Sequence, residues 1–238
     1  ASIGLCFPFV TLITAFANLF GLGGAPLCAM ARGKGNREGA QGIMVNAGFM
    51  LLLSGAVLTV LGIAFHRPLL YLFGASEVTY PYASSYIVIY LLGTLCVMLS
   101  LGLNPYINCQ GFARIGMLTV ALGAAANIVL DPIFIFALHL GVRGAAIATV
   151  LSQFLSAAWV VKFLTGKKAE LKLDFRGFCP DWHCIQHITV LGIASFVMSF
   201  TDMLVQVACN SMLRGFGGDL YISVMTVLNS VRQIAQTP

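Results

Sequence analysis

Two carboxylates stand where an apolar sequence has little ordinary use for them. Asp131 lies in the run Asn127-Ile-Val-Leu-Asp131-Pro132, and Asp202 lies in a later apolar run. An aspartate at the centre of a membrane-spanning helix costs ~2.5–3.5 kcal/mol, so it ordinarily faces a cavity and serves an ion, a proton or a substrate. Its simpler use is to pin two helices through hydrogen bonds. Around Asp131 the neighbours favour the first use. Asn127 comes four residues earlier, which stacks both side chains on one helical face. Pro132 has no N–H, so the carbonyl of Ile128 loses its helical partner. Carboxylate, amide oxygen and freed carbonyl are hard oxygen donors, suited to an alkali cation or to relaying a proton.

A hydroxyl joins this group from the next span. Ten residues separate Asp131 from Gly141, and eight separate Gly141 from Thr149. At 1.5 Å per residue these are ~15 Å and ~12 Å, so an antiparallel pair puts Asp131 and Thr149 at similar depth. Gly141, Gly144, Ala145, Ala146 and Ala148 are small, which lets the two backbones come close. Asp202 has Thr201 and Gln206 beside it and Asn210 two turns on. A single carboxylate in that setting would neutralise a lipophilic cation or take up a proton. Cys179, His183, Cys184 and His187 form a C-x3-H-C-x2-H cluster, but its spacing matches no common structural zinc site, and no metal is expected there.

The elements that must position these groups follow from composition. Of 238 residues, 59% are hydrophobic and 9% are charged, against roughly 25% charged in soluble domains. The hydrophobicity recurs along the whole length, so no removable signal peptide accounts for it. Apolar runs of about 20 residues cross a ~30 Å hydrocarbon core as helix. Seven are predicted, over Ile3–Ala31, Ile43–Phe65, Ser84–Ile107, Met117–Leu138, Gly144–Leu164, Ile188–Leu213 and Leu220–Pro238. The fold class is therefore an all-α polytopic transmembrane bundle. Short loops such as Arg32–Asn36, His66–Pro68, Gly74–Glu77 and His139–Arg143 join the spans. The sequence opens at Ala1 inside an apolar run and closes inside another, which reads as a piece of a longer protein.

Charge sets the orientation. Alternate connections collect Arg32, Lys34, Arg37, Arg114, Lys162, Lys167, Lys168, Lys172 and Arg176, whereas the opposite set holds Arg67, Arg143 and Arg214. Lys and Arg accumulate on the cytoplasmic side, so the first span runs outside to inside. The net charge of +5 is thus a topology signal, and no nucleic-acid partner is expected. Thr165–His187 is the one long inner connection. Its charged residues alternate with Leu171, Leu173 and Phe175, which reads as a linker resting on the membrane surface. The seven cysteines are odd in number and mostly lie in apolar runs, so they read as small buried residues rather than a disulfide framework.

Several strings resemble one family. Asn127-Ile-Val-Leu-Asp131-Pro-Ile-Phe-Ile followed by Gly141-Val-Arg-Gly144-Ala-Ala-Ile-Ala-Thr149 is similar to helices five and six of MATE-type multidrug and toxic compound extrusion transporters. Ala31-Arg32-Gly33-Lys34-Gly35-Asn36, Cys109-Gln110-Gly111-Phe112-Ala113-Arg114-Ile115-Gly116 and Leu213-Arg214-Gly215-Phe216-Gly217-Gly218-Asp219 resemble other helix ends of that family. The resemblance places the chain across helices two to eight of twelve. It implies two six-helix lobes that alternate access by rocking. Residues 1–165 would belong to the amino-terminal lobe, 166–187 to a cytoplasmic linker and 188–238 to the start of the carboxy-terminal lobe. The family's cation site would carry over to Asn127, Asp131 and Thr149, with the backbone oxygen of Ala145. Its helix-one aspartate has no counterpart in this sequence. The acidic position of helix seven would match Asp202.

The function this implies is an antiporter of a bacterial cell membrane. It would export amphiphilic, often cationic, organic compounds in exchange for H⁺ or Na⁺, with no further cofactor. Phe and Met, 17 and nine in number, would supply an adaptable drug-binding lining. A flippase of lipid-linked sugar on a related fold is the alternative. Its cleft would need several cations for pyrophosphate, and Arg232 alone lies well inside a span. An intramembrane aspartyl protease would need a glycine beside its catalytic acid. Asp131 has Leu130 and Pro132 as neighbours, and Asp202 has Thr201 and Met203, so no enzyme is expected.

Overall fold

The computed structural model describes residues 4–175 and 180–236, and among them there is no β-strand. After a turn of 3₁₀ helix, seven helices follow: α1 Phe7–Gly33, α2 Arg37–Leu72, α3 Tyr80–Leu92, α4 Thr94–Cys109, α5 Ala113–Pro132, α6 Gly141–Thr165 and α7 Trp182–Gln236. Among the described residues, five stretches are long and apolar enough to cross a membrane, and the bent pair α3–α4 makes a sixth. The chain is a multi-pass membrane protein.

Helix α1 is the axis of the bundle. More than half of its apolar window (56%) is buried inside the protein, whereas none of that of α5 is. Small residues let its neighbours approach, which is how helices associate where lipid is as apolar as leucine. A Cβ on Gly21 would sit 2.8 Å from the carbonyl oxygen of Gly102 in α4. One on Gly23 would sit 2.8 Å from the amide nitrogen of Gly192 in α7. The Tyr106 hydroxyl of α4 then donates to the carbonyl of Phe20 at 2.7 Å, filling the space over Gly24.

Four expectations are corrected. The third span is not one straight helix. It bends by 55° at Gly93, where a Cβ would sit 2.7 Å from Val150 of α6. The fourth span keeps its length but changes register after Pro132, where Ile133–Ala137 form a π-helical turn. The expected loop His66–Pro68 is helical, because the apolar pattern resumes beyond it and Leu70 is fully buried. The sixth and seventh spans form one continuous helix. Prolines stand on either side of α7 but not within it, and glycines at 215, 217 and 218 cost only about 1 kcal/mol each. The side chains of Arg214, Asp219 and Arg232 lie outside the described ones.

The inner connection also departs from expectation. Residues 166–175 do not lie out on the membrane but turn under the bundle. Leu171 and Leu173 are buried, at 1% and 8% exposure. Leu171 N–H donates to the Gln110 side chain at 3.0 Å, and Leu173 N–H donates to the carbonyl of Leu164 at 3.0 Å. The Glu170 carboxylate accepts from Arg32 at 2.7 Å and from Arg37 at 3.5 Å. Asp181 N–H reaches Asn46 of α2 at 3.0 Å. Backbone groups that find partners on the helix ends need no water, and this draws the apolar side of the strip inward.

Candidate cation site

The residues expected from the sequence form two pairs, Asn127 with Asp131 on α5 and Thr149 with Ala145 on α6. Asn127 donates through Nδ2 to Oδ1 of Asp131 at 3.5 Å, one helical turn away. Pro132 ends the α-helical ladder, and the Ile133 N–H turns back to the carbonyl of Leu130. A π turn at this point is a familiar accompaniment of functional sites, because it re-aims carbonyls and side chains that a regular helix would fix. Thr149 donates its hydroxyl to the carbonyl of Ala145 at 2.9 Å. That bond holds the Thr149 rotamer and leaves its oxygen lone pairs facing outward as acceptors.

Asn127 and Thr149 line one cavity of about 290 Å³ between α4, α5 and α6. Ser100, Asn104, Ser152 and Gln153 contribute further polar groups to its wall. Ser100 donates to Gln153 at 2.7 Å, while the buried amide oxygen of Asn104 has no hydrogen-bond partner among the described residues. An unpaired acceptor away from water is costly, so the cavity is built for something polar.

Sequence reasoning missed two contributors. Tyr86 of α3 is buried, reaches the Thr149 side chain with its hydroxyl and lies within electrostatic range of Asp131. Nothing in its local sequence distinguishes it from the stacked Tyr90 beside it. Asn104 carried a usable signal: an amide immediately before Pro105 inside a span repeats the pattern of Asp131 before Pro132.

Asp202 does not join this group. It is exposed on α7, an element that contributes nothing to the cavity wall. In the Cys/His cluster, Cys179 lies outside the described residues. The carboxylate of Asp181 accepts from the backbone N–H groups of His183 and Cys184, at 3.0 and 3.4 Å, and caps the start of α7. His183 and His187 rings meet edge to face at 4.5 Å. Among the described residues no three His, Cys, Asp or Glu side chains are grouped to hold a metal.

Comparison with known proteins agrees with this architecture. The MatE family model matches residues 1–133. The multidrug export protein MepA of Staphylococcus haemolyticus is 28% identical over 217 residues, covering 91% of this chain and 48% of that protein. MepA of Staphylococcus aureus strain MRSA252 is 23% identical over the same coverage. Among solved structures, the inward-facing conformation of a multidrug resistance MATE family transporter of the MOP superfamily superposes with a TM-score of 0.90 at 28% identity. That match covers 94% of this chain and 51% of that one. A crystal structure of MATE in complex with MaD3S superposes with a TM-score of 0.83 at 29% identity, over 94% and 51%. The chain spans about half the length of the curated relatives it matches.

Proposed function

The chain belongs to the MatE family, and from that membership we propose that it is part of a cation-coupled exporter of amphiphilic, often cationic, drugs. In this reading residues 1–165 belong to one lobe, residues 166–187 form the linker between lobes, and residues 188–238 open the second lobe. The observation that carries the coupling role is the Asn127–Asp131 pair, which stands immediately before Pro132 and a π turn and places Asn127 in the wall of a polar cavity. The Asn127 amide and the Thr149 hydroxyl belong to residues of that cavity's wall, and the Asp131 carboxylate lies one turn beyond it on α5, joined to Asn127.

The proposed cycle uses these groups in order. With Asp131 ionised, the lobe carries a negative charge that favours a cationic drug. Binding of H⁺ or Na⁺ at Asp131, assisted by Asn127, Thr149 and the carbonyl of Ala145, removes that charge. The surrounding turn of α5 can then repack, because the π register after Pro132 is not locked by regular α-helical hydrogen bonds. A ligand shifts such an equilibrium only by its differential affinity for the two states, which the change of charge supplies. In the second lobe, Asp202 is assigned a separate electrostatic role toward drug or proton.

The test is export of a fluorescent cationic dye by the full-length protein in cells lacking their own pumps, with H⁺ and Na⁺ gradients imposed separately. Wild type should export under one gradient and Asp131→Asn should not, at equal membrane expression. Asp202→Asn should retain coupling to the gradient and lose part of the dye affinity. No export by wild type under either gradient would sink the drug-efflux reading. Unimpaired export by Asp131→Asn would remove the coupling site.

A further inference from the structure

On the side of α5 and α6 turned away from the cation site, two recesses run into one another. The larger, about 630 Å³, lies between the two helices and is almost wholly apolar. Ala125, Ala126 and Ala158 form its floor, with Leu122, Val129 and Leu155 as walls. The smaller, about 310 Å³, lies at the inner ends of the same helices, among Ile115, Phe163, Lys167 and Lys168. Trp159 and Lys162 line both, so the apolar groove opens directly onto three lysines.

We propose that this continuous recess is a binding site for one anionic phospholipid of the inner leaflet, with an acyl chain in the α5–α6 groove and the headgroup phosphate held by Lys162, Lys167 and Lys168. The proposal stands apart from the export function and does not depend on it.

Three features commit the site to that occupant. The first is charge. Among the described residues none of the three lysines is ion-paired, and the nearby acid Glu170 is taken by Arg32 and Arg37. Their charge is therefore available to a phosphate, and the basic connections mark this end as cytoplasmic, where anionic lipid is recognised by basic pockets between helices. The second is depth. Trp159 stands one turn from the basic cluster, with its ring partly exposed at 37%, as expected of an indole at the headgroup boundary. The third is shape. Leu122–Val129 and Leu155–Lys162 each span about 10 Å of helix, and the small residues between them leave a furrow along that length rather than a flat face. A lysine-rich surface patch alone would lack the furrow, and a plain lipid-facing furrow would lack the lysines.

The experiment uses the full-length protein in detergent micelles and phosphatidylglycerol or phosphatidylcholine brominated on the acyl chain, which quenches nearby indoles. The Trp159-dependent signal is obtained by difference from Trp159→Phe. Phosphatidylglycerol should quench it at about tenfold lower mole fraction than phosphatidylcholine. The triple variant Lys162→Gln, Lys167→Gln, Lys168→Gln should bring the two lipids level. Ala126→Leu with Ala158→Leu, which fills the furrow and keeps every lysine, should weaken quenching by phosphatidylglycerol. Displacement of that lipid by millimolar inorganic phosphate would reduce the site to an anion patch and overturn the proposal. Equal quenching by both lipids in wild type, or no quenching by either because another part of the full-length protein covers the groove, would overturn it as well.

Discussion

Thr149 donates its hydroxyl to the carbonyl of Ala145 at 2.9 Å, so two of the oxygens assigned to cation coupling are already joined to each other. The bond fixes Thr149 to one rotamer against the cavity wall. It also means that any cation drawn to the Ala145 carbonyl competes with, or shares, that hydroxyl.

The two chemical parts of Thr149 are therefore separable. Thr149→Ser keeps the hydroxyl and should retain gradient-driven export within about twofold. Thr149→Val keeps the shape and removes the donor. It should raise the cation concentration needed for half-maximal export by about five- to tenfold, the effect of one net hydrogen bond of about 1 kcal/mol. Transport into inverted vesicles at varied Na⁺ and pH reads both.

Tyr86 provides the same test from α3. Tyr86→Phe leaves the buried ring and deletes the hydroxyl that reaches Thr149. The expected result is a shift in cation dependence in the same direction as Thr149→Val, with unchanged expression. Because both hydroxyls serve one oxygen cluster, the double variant should cost less than the sum of the singles. Strict additivity in that cycle would place Tyr86 outside the site.

The crossing of α1 and α7 depends on the absence of a side chain. A Cβ on Gly192 would lie 2.8 Å from the carbonyl carbon of Leu19 and 3.1 Å from its Cα. Gly→Ala in an open helix gains helix propensity, but here the added methyl must push two backbones apart. Gly192→Ala should destabilise the detergent-solubilised protein by about 1–3 kcal/mol, the usual cost of overpacking. The thermal midpoint of unfolding measures it, and a raised midpoint would refute the close crossing.

The inner strap allows a comparison of ionic and apolar contacts. Glu170 bridges Arg32 and Arg37 with roughly a third of its side chain exposed, and partly solvated pairs contribute at most about 1 kcal/mol. Leu171 is fully enclosed, and truncating such a leucine costs about 2–5 kcal/mol. Leu171→Ala should therefore make the linker far more sensitive to limited proteolysis than Glu170→Gln does. The reverse order would mean that charge, not burial, holds the strap.

What could be read in advance divides along physical lines. Most span positions were legible because roughly 20 apolar residues have one use in a bilayer. Asn127 and Asp131 were legible because a four-residue spacing survives any packing of the helix. Thr149 needed only an estimate of depth. What escaped depends on contacts between distant segments. Position 93 needs a glycine because Val150 of another helix fills the space a side chain would take, and Tyr86 matters because α3 brings it to Thr149. The alternation around Leu171 and Leu173 was seen, but which surface received the apolar side was not. That choice was made by hydrogen-bond partners on Gln110 and Leu164, far away in sequence.

The π turn at Ile133–Ala137 has a mechanical consequence. Such a turn holds one residue more than an α turn, so the outer hairpin at His139–Gly141 stands one residue out of phase with the helix below Pro132. Converting those five residues to α geometry would rotate everything beyond them by about 100° and advance it by about 1.5 Å. In such a conversion a small change of bonding beside Asp131 would be geared to a large angular movement of the His139–Gly141 hairpin.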